Sequence, residues 1–266
     1  MKRVGMTLAI LVAVVGLVFF LVRDNVLLIS SLVQGRVSAD KGDQGRALEI
    51  YEKAVALNPR LWRAEWLSLA YWLKGSMHRS RGELDEAVEA LKVGWELRPQ
   101  SAQVSEGLAL ALFERGVKEL DSRLVDLAIG DLTKALELNP KFTEAYYQRG
   151  LAYEGKGSLE AAHRDYDRVV ELDAKMVNAY YHRGLVRLAL GNSAGAINDL
   201  EWATQLNGNF ADAFLSLGVA YRQVGKQAEA VTALQKVLTL TSDGNLLASA
   251  KRELAALQYP GRRQLE

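Results

Sequence analysis

The chain contains no cysteine. That absence removes disulfides, thiolate metal sites, a lipoprotein acylation site and cysteine nucleophiles together, while saying little about compartment. Proline is scarce, at 4 of 266 residues, and only 3 histidines are present. Helices therefore meet few breaks, and imidazole chemistry has little to draw on. An excess of one charge is missing too. Thirty-three basic against 32 acidic residues leave a formal charge of +1, so no global field advertises nucleic acid or an acidic substrate. Strand signals are also few. Abundant Ala, Leu and Glu favour helix, and a chain of 266 residues suits a fold that grows by repetition without a single globular core.

Charge vanishes altogether between Val4 and Val22. Nineteen uncharged residues at about 1.5 Å each reach roughly 28 Å, close to the ~30 Å hydrocarbon thickness of a bilayer. The run exceeds a usual ~7–15-residue signal core, and Leu21-Val22-Arg23-Asp24-Asn25 offers no small-x-small cleavage site. Residues 4–23 therefore read as an uncleaved transmembrane anchor after a short tail, 1–3, with the lipid bilayer as a partner through 4–22. Lys2 and Arg3 precede the span, while Asp24 offsets Arg23 after it. The positive-inside rule then leaves the N-terminus cytoplasmic and the rest extracytoplasmic, although Arg36 and Lys41 also fall within the ~20 residues over which it counts. Asp24-Asn25 can cap a new helix, or the membrane helix can run straight on.

The remainder is periodic. Gly35, Gly75, Gly116, Gly150, Gly184 and Gly218 are each followed twelve residues later by Ala47, Ala87, Ala128, Ala162, Ala196 and Ala230. Four residues further stand Tyr51, Leu91, Leu132, Tyr166, Leu200 and Leu234. The copies end 24 residues after each Gly, at Pro59, Pro99 and Pro140 in the first three. A fixed period in this range marks a solenoid. Small residues belong where two antiparallel helices cross closely, and the large residue fills the hole beside them. Pro closes one copy because it lacks an N–H and clashes with the preceding turn. Seven residues after the marker come Gly42, Gly82, Gly157, Gly191 and Gly225, suited to a left-handed helix end; the third copy departs, with Asp121-Ser122-Arg123 in its turn.

The grid resembles the tetratricopeptide repeat (TPR) family, a 34-residue helix–turn–helix unit, and in particular membrane-anchored TPR proteins. The resemblance implies an all-α, right-handed TPR superhelix (α-solenoid) preceded by one transmembrane helix. Six repeats are expected at 28–61, 62–101, 102–142, 143–176, 177–210 and 211–244, then a capping helix at 245–258 and a loose tail at 259–266. Asn245 is the expected cap of that helix. Marker spacings of 40 and 41 before three of 34 put the extra residues in the first helices of repeats two and three. Trp62 and Trp66, four apart on one helix face, are possible edge contacts for headgroups or a partner, or a cover over repeat one.

Chemistry is hard to find. Gly150-Leu-Ala-Tyr-Glu-Gly155-Lys156-Gly157 approaches a P-loop, but it lacks the hydroxyl residue after Lys and a preceding strand. His78, His163 and His182 show no metal-ligand spacing and read as surface or packing residues. Carboxylates are expected on exposed helix positions as charge pairs such as Glu49 with Lys53, and no Ser sits in a nucleophile elbow. No catalytic residue, cofactor or metal is expected, and the chain does not read as an enzyme.

In the family, the first helix of each repeat lines the concave face, where partners bind. The inward positions implied here are Phe113, Val117 and Leu120; Tyr147, Leu151 and Glu154; Asn178, Tyr181, Leu185 and Leu188; and Asp212, Leu215, Val219 and Arg222. The family's clamp for a C-terminal carboxylate needs Lys, Asn and Arg there, whereas these residues are mostly aromatic or aliphatic. A lengthwise apolar groove takes an amphipathic helix or an extended apolar peptide. The opposing reading is that these side chains pack on their neighbours. The expectation is a membrane-tethered scaffold or adaptor that binds a partner protein in assembling or stabilising a membrane or envelope complex. A constitutive structural subunit is the alternative. An enzyme or a nucleic-acid binder fits less well, the latter because Glu154 and Asp212 interrupt any basic stripe.

Overall fold

A computed structural model describes residues 26, 27, 29–56 and 64–258. The expected anchor (4–23), the tails at 1–3 and 259–266, and Trp62 lie outside the described residues, as does the Trp66 side chain. Among the described residues every regular element is an α-helix, and none is long and apolar enough to cross a membrane. In chain order they are α1 (29–40), α2 (Gln44–Ala56), α3 (Ala64–Ser80), α4 (Leu84–Leu97), α5 (Ala102–Asp121), α6 (Val125–Leu138) and α7 (Thr143–Gly155). They continue with α8 (Leu159–Leu172), α9 (Val177–Ala189), α10 (Ser193–Leu206), α11 (Ala211–Gln223), α12 (Gln227–Leu240) and α13 (Gly244–Gln258).

The chain divides into two compact units, Met1–Glu119 with Lys134–Pro140, and Leu120–Thr133 with Lys141–Glu266. In the first, Leu32, Tyr51, Leu67 and Ala70 form one buried cluster, and Leu91, Leu108, Leu112 and Ala135 belong to the next. Ser68 is buried in the same unit because its hydroxyl donates to the Gly94 carbonyl at 2.8 Å. In the second, α7 packs on α8, α9 on α10 and α11 on α12, with α8 against α9 and α10 against α11. The last helix, α13, covers α12 and α11 through Ala250, Leu246, Leu254 and Leu257. An array needs such a lid because its final repeat otherwise exposes its stacking surface.

The periodic residues account for this packing. All six alanines and all six large residues of the grid are fully buried, at 0% exposure. A Cβ at Gly184 would lie 2.9 Å from Leu200 Cγ, and one at Gly218 would lie 2.6 Å from Leu234 Cγ. The two helices of a repeat therefore cross as closely as the missing side chain allows. Burial of each large residue contributes about 1.5–3 kcal/mol relative to exposure.

Helix ends follow local chemistry. At the end of α9, Gly191 has φ +80°, its N–H donates to Leu188 O at 3.0 Å, and the Asn192 N–H closes back to Arg187 O at 2.8 Å. That pair of bonds satisfies carbonyls the helix leaves open. The third connection, which departs from the pattern in sequence, keeps the same conformation: Arg123 takes φ 62°, with its N–H on Leu120 O at 2.9 Å. The expected cap of α13 is corrected by two positions. Asp243 Oδ1 accepts from Asn245 N at 2.8 Å and Leu246 N at 3.0 Å, because a carboxylate just before the first turn can reach both free donors. The long spacings appear as helix length, with α5 running 20 residues against 13 in α7, α9 and α11.

Candidate functional site

The groove positions expected in the second unit lie on α7, α9 and α11, the first helices of the last three pairs, and Tyr147, Leu151, Tyr181, Leu188 and Leu215 each pack in part against a neighbouring buried cluster. Tyr147, Leu151, Tyr181, Leu185, Leu188, Leu215, Val219 and Arg222 are all half-buried, and Asn178 is exposed. Phe113 and Val117 are half-buried in the first unit, where Phe113 packs on the cluster around Leu112; Leu120, also half-buried, falls in the second.

Several of these groups are linked through His182, which sequence reasoning left as a surface or packing residue. Its ring lies 5.9 Å from Tyr147, 5.8 Å from Tyr166 in a stacked arrangement and 5.2 Å from Tyr181. Tyr181 continues the strip onto Phe210 at 4.8 Å. Such offset and edge-on contacts are worth about 0.5–1.5 kcal/mol each beyond burial. Beneath the strip, the Tyr166 hydroxyl donates to Glu154 Oε2 at 2.7 Å, and His182 Nδ1 meets the same oxygen at 3.1 Å.

The electrostatics follow from that arrangement. Burial alone raises the Glu154 carboxyl, but the hydrogen bonds from His182 and Tyr166 outweigh it and hold the group below the ordinary carboxylate range. Burial, with the adjoining Glu154, pushes the Tyr166 hydroxyl far up. Burial and Glu154 also raise Tyr147 against the pull of Asn178, and burial with Asp212 raises Tyr181 against that of Ser216. All three phenols therefore stay neutral donors at physiological pH. The strip therefore presents aromatic rings whose hydroxyls are held neutral beside an ionised carboxylate. Among the described residues no cluster of His, Cys, Asp or Glu is suited to hold a metal ion.

The expectation that carboxylates sit exposed is corrected. Asp165 and Asp199 are 4% and 2% exposed, and each is held by an arginine. Arg149 grips Asp165 with bonds of 2.8 and 2.7 Å and reaches Thr133 at 3.0 Å. One period later, Arg183 grips Asp199 at 3.0 and 2.6 Å and reaches Asp167 at 2.8 Å. Burial works against both guanidinium groups, but the carboxylates more than restore their charge. The signal was present as Arg immediately before the marker Gly and Asp sixteen residues after that Arg. Arg222 makes a different contact, an off-axis ion pair at 2.7 Å with Glu253 of α13.

A second concavity, of about 460 Å³, lies in the first unit among Trp95, Leu108, Leu112, Leu138, Lys92 and Lys134. Its lining comes from α4, α5 and the end of α6, and no sequence motif marks it.

Helix pairs of this length, a close glycine crossing and a left-handed turn repeated through the chain define a helical-repeat protein. Two family profiles, both described as tetratricopeptide repeat, match residues 32–102 with 181–245 and residues 132–164. The chain belongs to the tetratricopeptide repeat family. It is similar to the crystal structure of MamA protein, at 28% identity over 65% of this chain and 90% of that one, with TM-score 0.50. It is also similar in fold to YrrB, a TPR protein with an unusual peptide-binding site, at 21% identity over 76% and 97%, with TM-score 0.58. A third fold similarity is to the APC/C hetero-tetramer Cut9-Hcn1, at 17% identity over 85% and 43%, with TM-score 0.51. No curated protein matches the chain.

Proposed function

We propose that this chain is a membrane-tethered scaffold that holds a partner polypeptide against the face built by α7, α9 and α11, in the assembly or stabilisation of a membrane or envelope complex. The observation that carries the reading is the strip Tyr147–His182–Tyr181, packed ring against ring yet half open to solvent. Rigid, amphipathic aromatic surface binds at low entropic cost. The partner fits as an amphipathic helix or an extended apolar segment laid over Tyr147, Leu151, Tyr181 and Leu185. Phe113, Val117 and Leu120 hold the equivalent register positions in the third repeat.

The uncharged run 4–22 supplies the tether, whose effect is raised local concentration at the bilayer without chemistry. In this reading the repeats lie on the extracytoplasmic side, and Trp62 and Trp66 are proposed as contacts for headgroups or partner. Crosslinked pull-down from membranes tests the reading with three chains: native, lacking residues 1–23, and carrying Tyr147→Ser with Tyr181→Ser. The native chain is expected to capture a defined partner, the truncated chain to lose it from membranes, and the double variant to lose it everywhere while keeping its helicity. Undiminished capture by the double variant contradicts the groove. Co-purification that resists salt and detergent at fixed stoichiometry identifies a permanent subunit instead.

A further inference from the structure

The first helices α7, α9 and α11 carry four arginines, and each is already committed to a carboxylate elsewhere. Arg149 is paired with Asp165 at 2.7 Å, Arg183 and Arg187 with Asp199 at 2.6 and 2.8 Å, and Arg222 with Glu253 at 2.7 Å. The acids of these helices are not compensated in return. Glu154 accepts only from the neutral Tyr166 hydroxyl and from His182. Glu144 is exposed on the turn before Tyr147, and Asp212 is half-buried close to Tyr181; neither has an ion-pair partner among the described residues. Residues 144, 147, 148 and 151 recur at helical spacing, so Glu144 shares the face of Tyr147 and Leu151. The lysines nearest in sequence, Lys141 and Lys175, stand in the connections ahead of α7 and α9.

We infer that the segment received by this groove is cationic, an apolar peptide bearing Lys or Arg at its flanks. The inference rests on the groove reading above and specifies its occupant. Glu144 and Asp212 stand in the first turns of their helices, whose N-termini offset part of their charge. Covering them with a neutral apolar ligand still strips them of water with no cation in exchange, which is costly for an ionised carboxylate. A ligand amine or guanidinium offsets that cost, whereas an acidic segment meets like charge across the interface.

The test uses the full chain in detergent and three synthetic amphipathic 20-residue peptides. They share one apolar face and carry Lys, Gln or Glu on the polar face, with binding read by fluorescence anisotropy. The Lys peptide is expected to bind at least about tenfold more tightly than the Glu peptide, with an affinity that falls as salt rises. Glu144→Gln with Asp212→Asn is expected to remove that preference, with no more than the small fall in melting temperature that loss of two first-turn carboxylates brings. A Glu peptide that binds as well as the Lys peptide, in a manner abolished by Tyr147→Ser with Tyr181→Ser, overturns the charge inference and leaves the groove standing. Binding that ignores the tyrosine substitutions, or no binding by any of the three, overturns both.

Discussion

Arg123 occupies a backbone conformation that its five counterparts give to glycine, with φ 62° against +75° to +81°. A left-handed residue with a Cβ costs about 1–2 kcal/mol, partly offset because glycine loses more freedom on folding. Arg123→Gly is therefore expected to stabilise the chain by about 0.5–1 kcal/mol, read as a raised denaturation midpoint. Gly191→Arg, the reverse exchange at the corresponding turn, is expected to cost about 0.5–1 kcal/mol. The turn itself was legible in five repeats from the glycine seven residues after the marker. In the third it was not, because helix packing imposes a conformation the local residues do not favour.

Glu154 carries a pH dependence at the same scale. Its carboxyl is held below the ordinary 4.5 in the folded chain, so folding favours the ionised form. The stability it adds is fully present above that ordinary value and is lost as pH falls through the lowered one. The melting-temperature gap between the native chain and Glu154→Gln is expected to be open at neutral pH and to close under acid. A gap that stays constant to pH ~3 contradicts the assigned hydrogen bonds.

Between elements, the arginine–aspartate grips set how helices of neighbouring repeats register. Arg149 joins α7 to α8 through Asp165 and to α6 through Thr133. Removing one partner leaves a buried charge, so Arg149→Met is expected to cost about 3 kcal/mol, and Arg149→Met with Asp165→Leu less than that single change. A double variant as unstable as the sum of the singles shows that the two charges do not couple. At the last helix, Asp243→Ala is expected to cost about 1 kcal/mol and to fray α13, seen as faster amide exchange at its first turn. These features escaped sequence reading for different reasons. The buried aspartates did so because a charged residue in a helix is assumed to face water. Asp243 did so because Asp-Gly-Asn offers two capping residues and only geometry selects between them.

For the whole molecule, the grid of glycine, alanine and large apolar residues was legible because close helix crossing tolerates few substitutes. A Cβ at Gly218 would stand 2.6 Å from Leu234, and each of the grid's large residues is wholly buried. The candidate face was legible only in part. Family register pointed to Tyr147, Tyr181 and their neighbours, but the packing that joins them through His182 depends on contacts between residues 28 and 35 positions apart. No local pattern encodes such contacts.

The central claim is that a partner polypeptide lies on the face of α7, α9 and α11. Site-specific photo-crosslinking in native membranes tests it most directly, with the crosslinker placed in turn at Leu185 and Val219 of that face and at Trp202, which is 53% exposed on α10. One crosslinked partner from Leu185 and Val219, and none from Trp202, is the predicted result. Equal yields from all three positions, or a partner trapped from Trp202 alone, would contradict it.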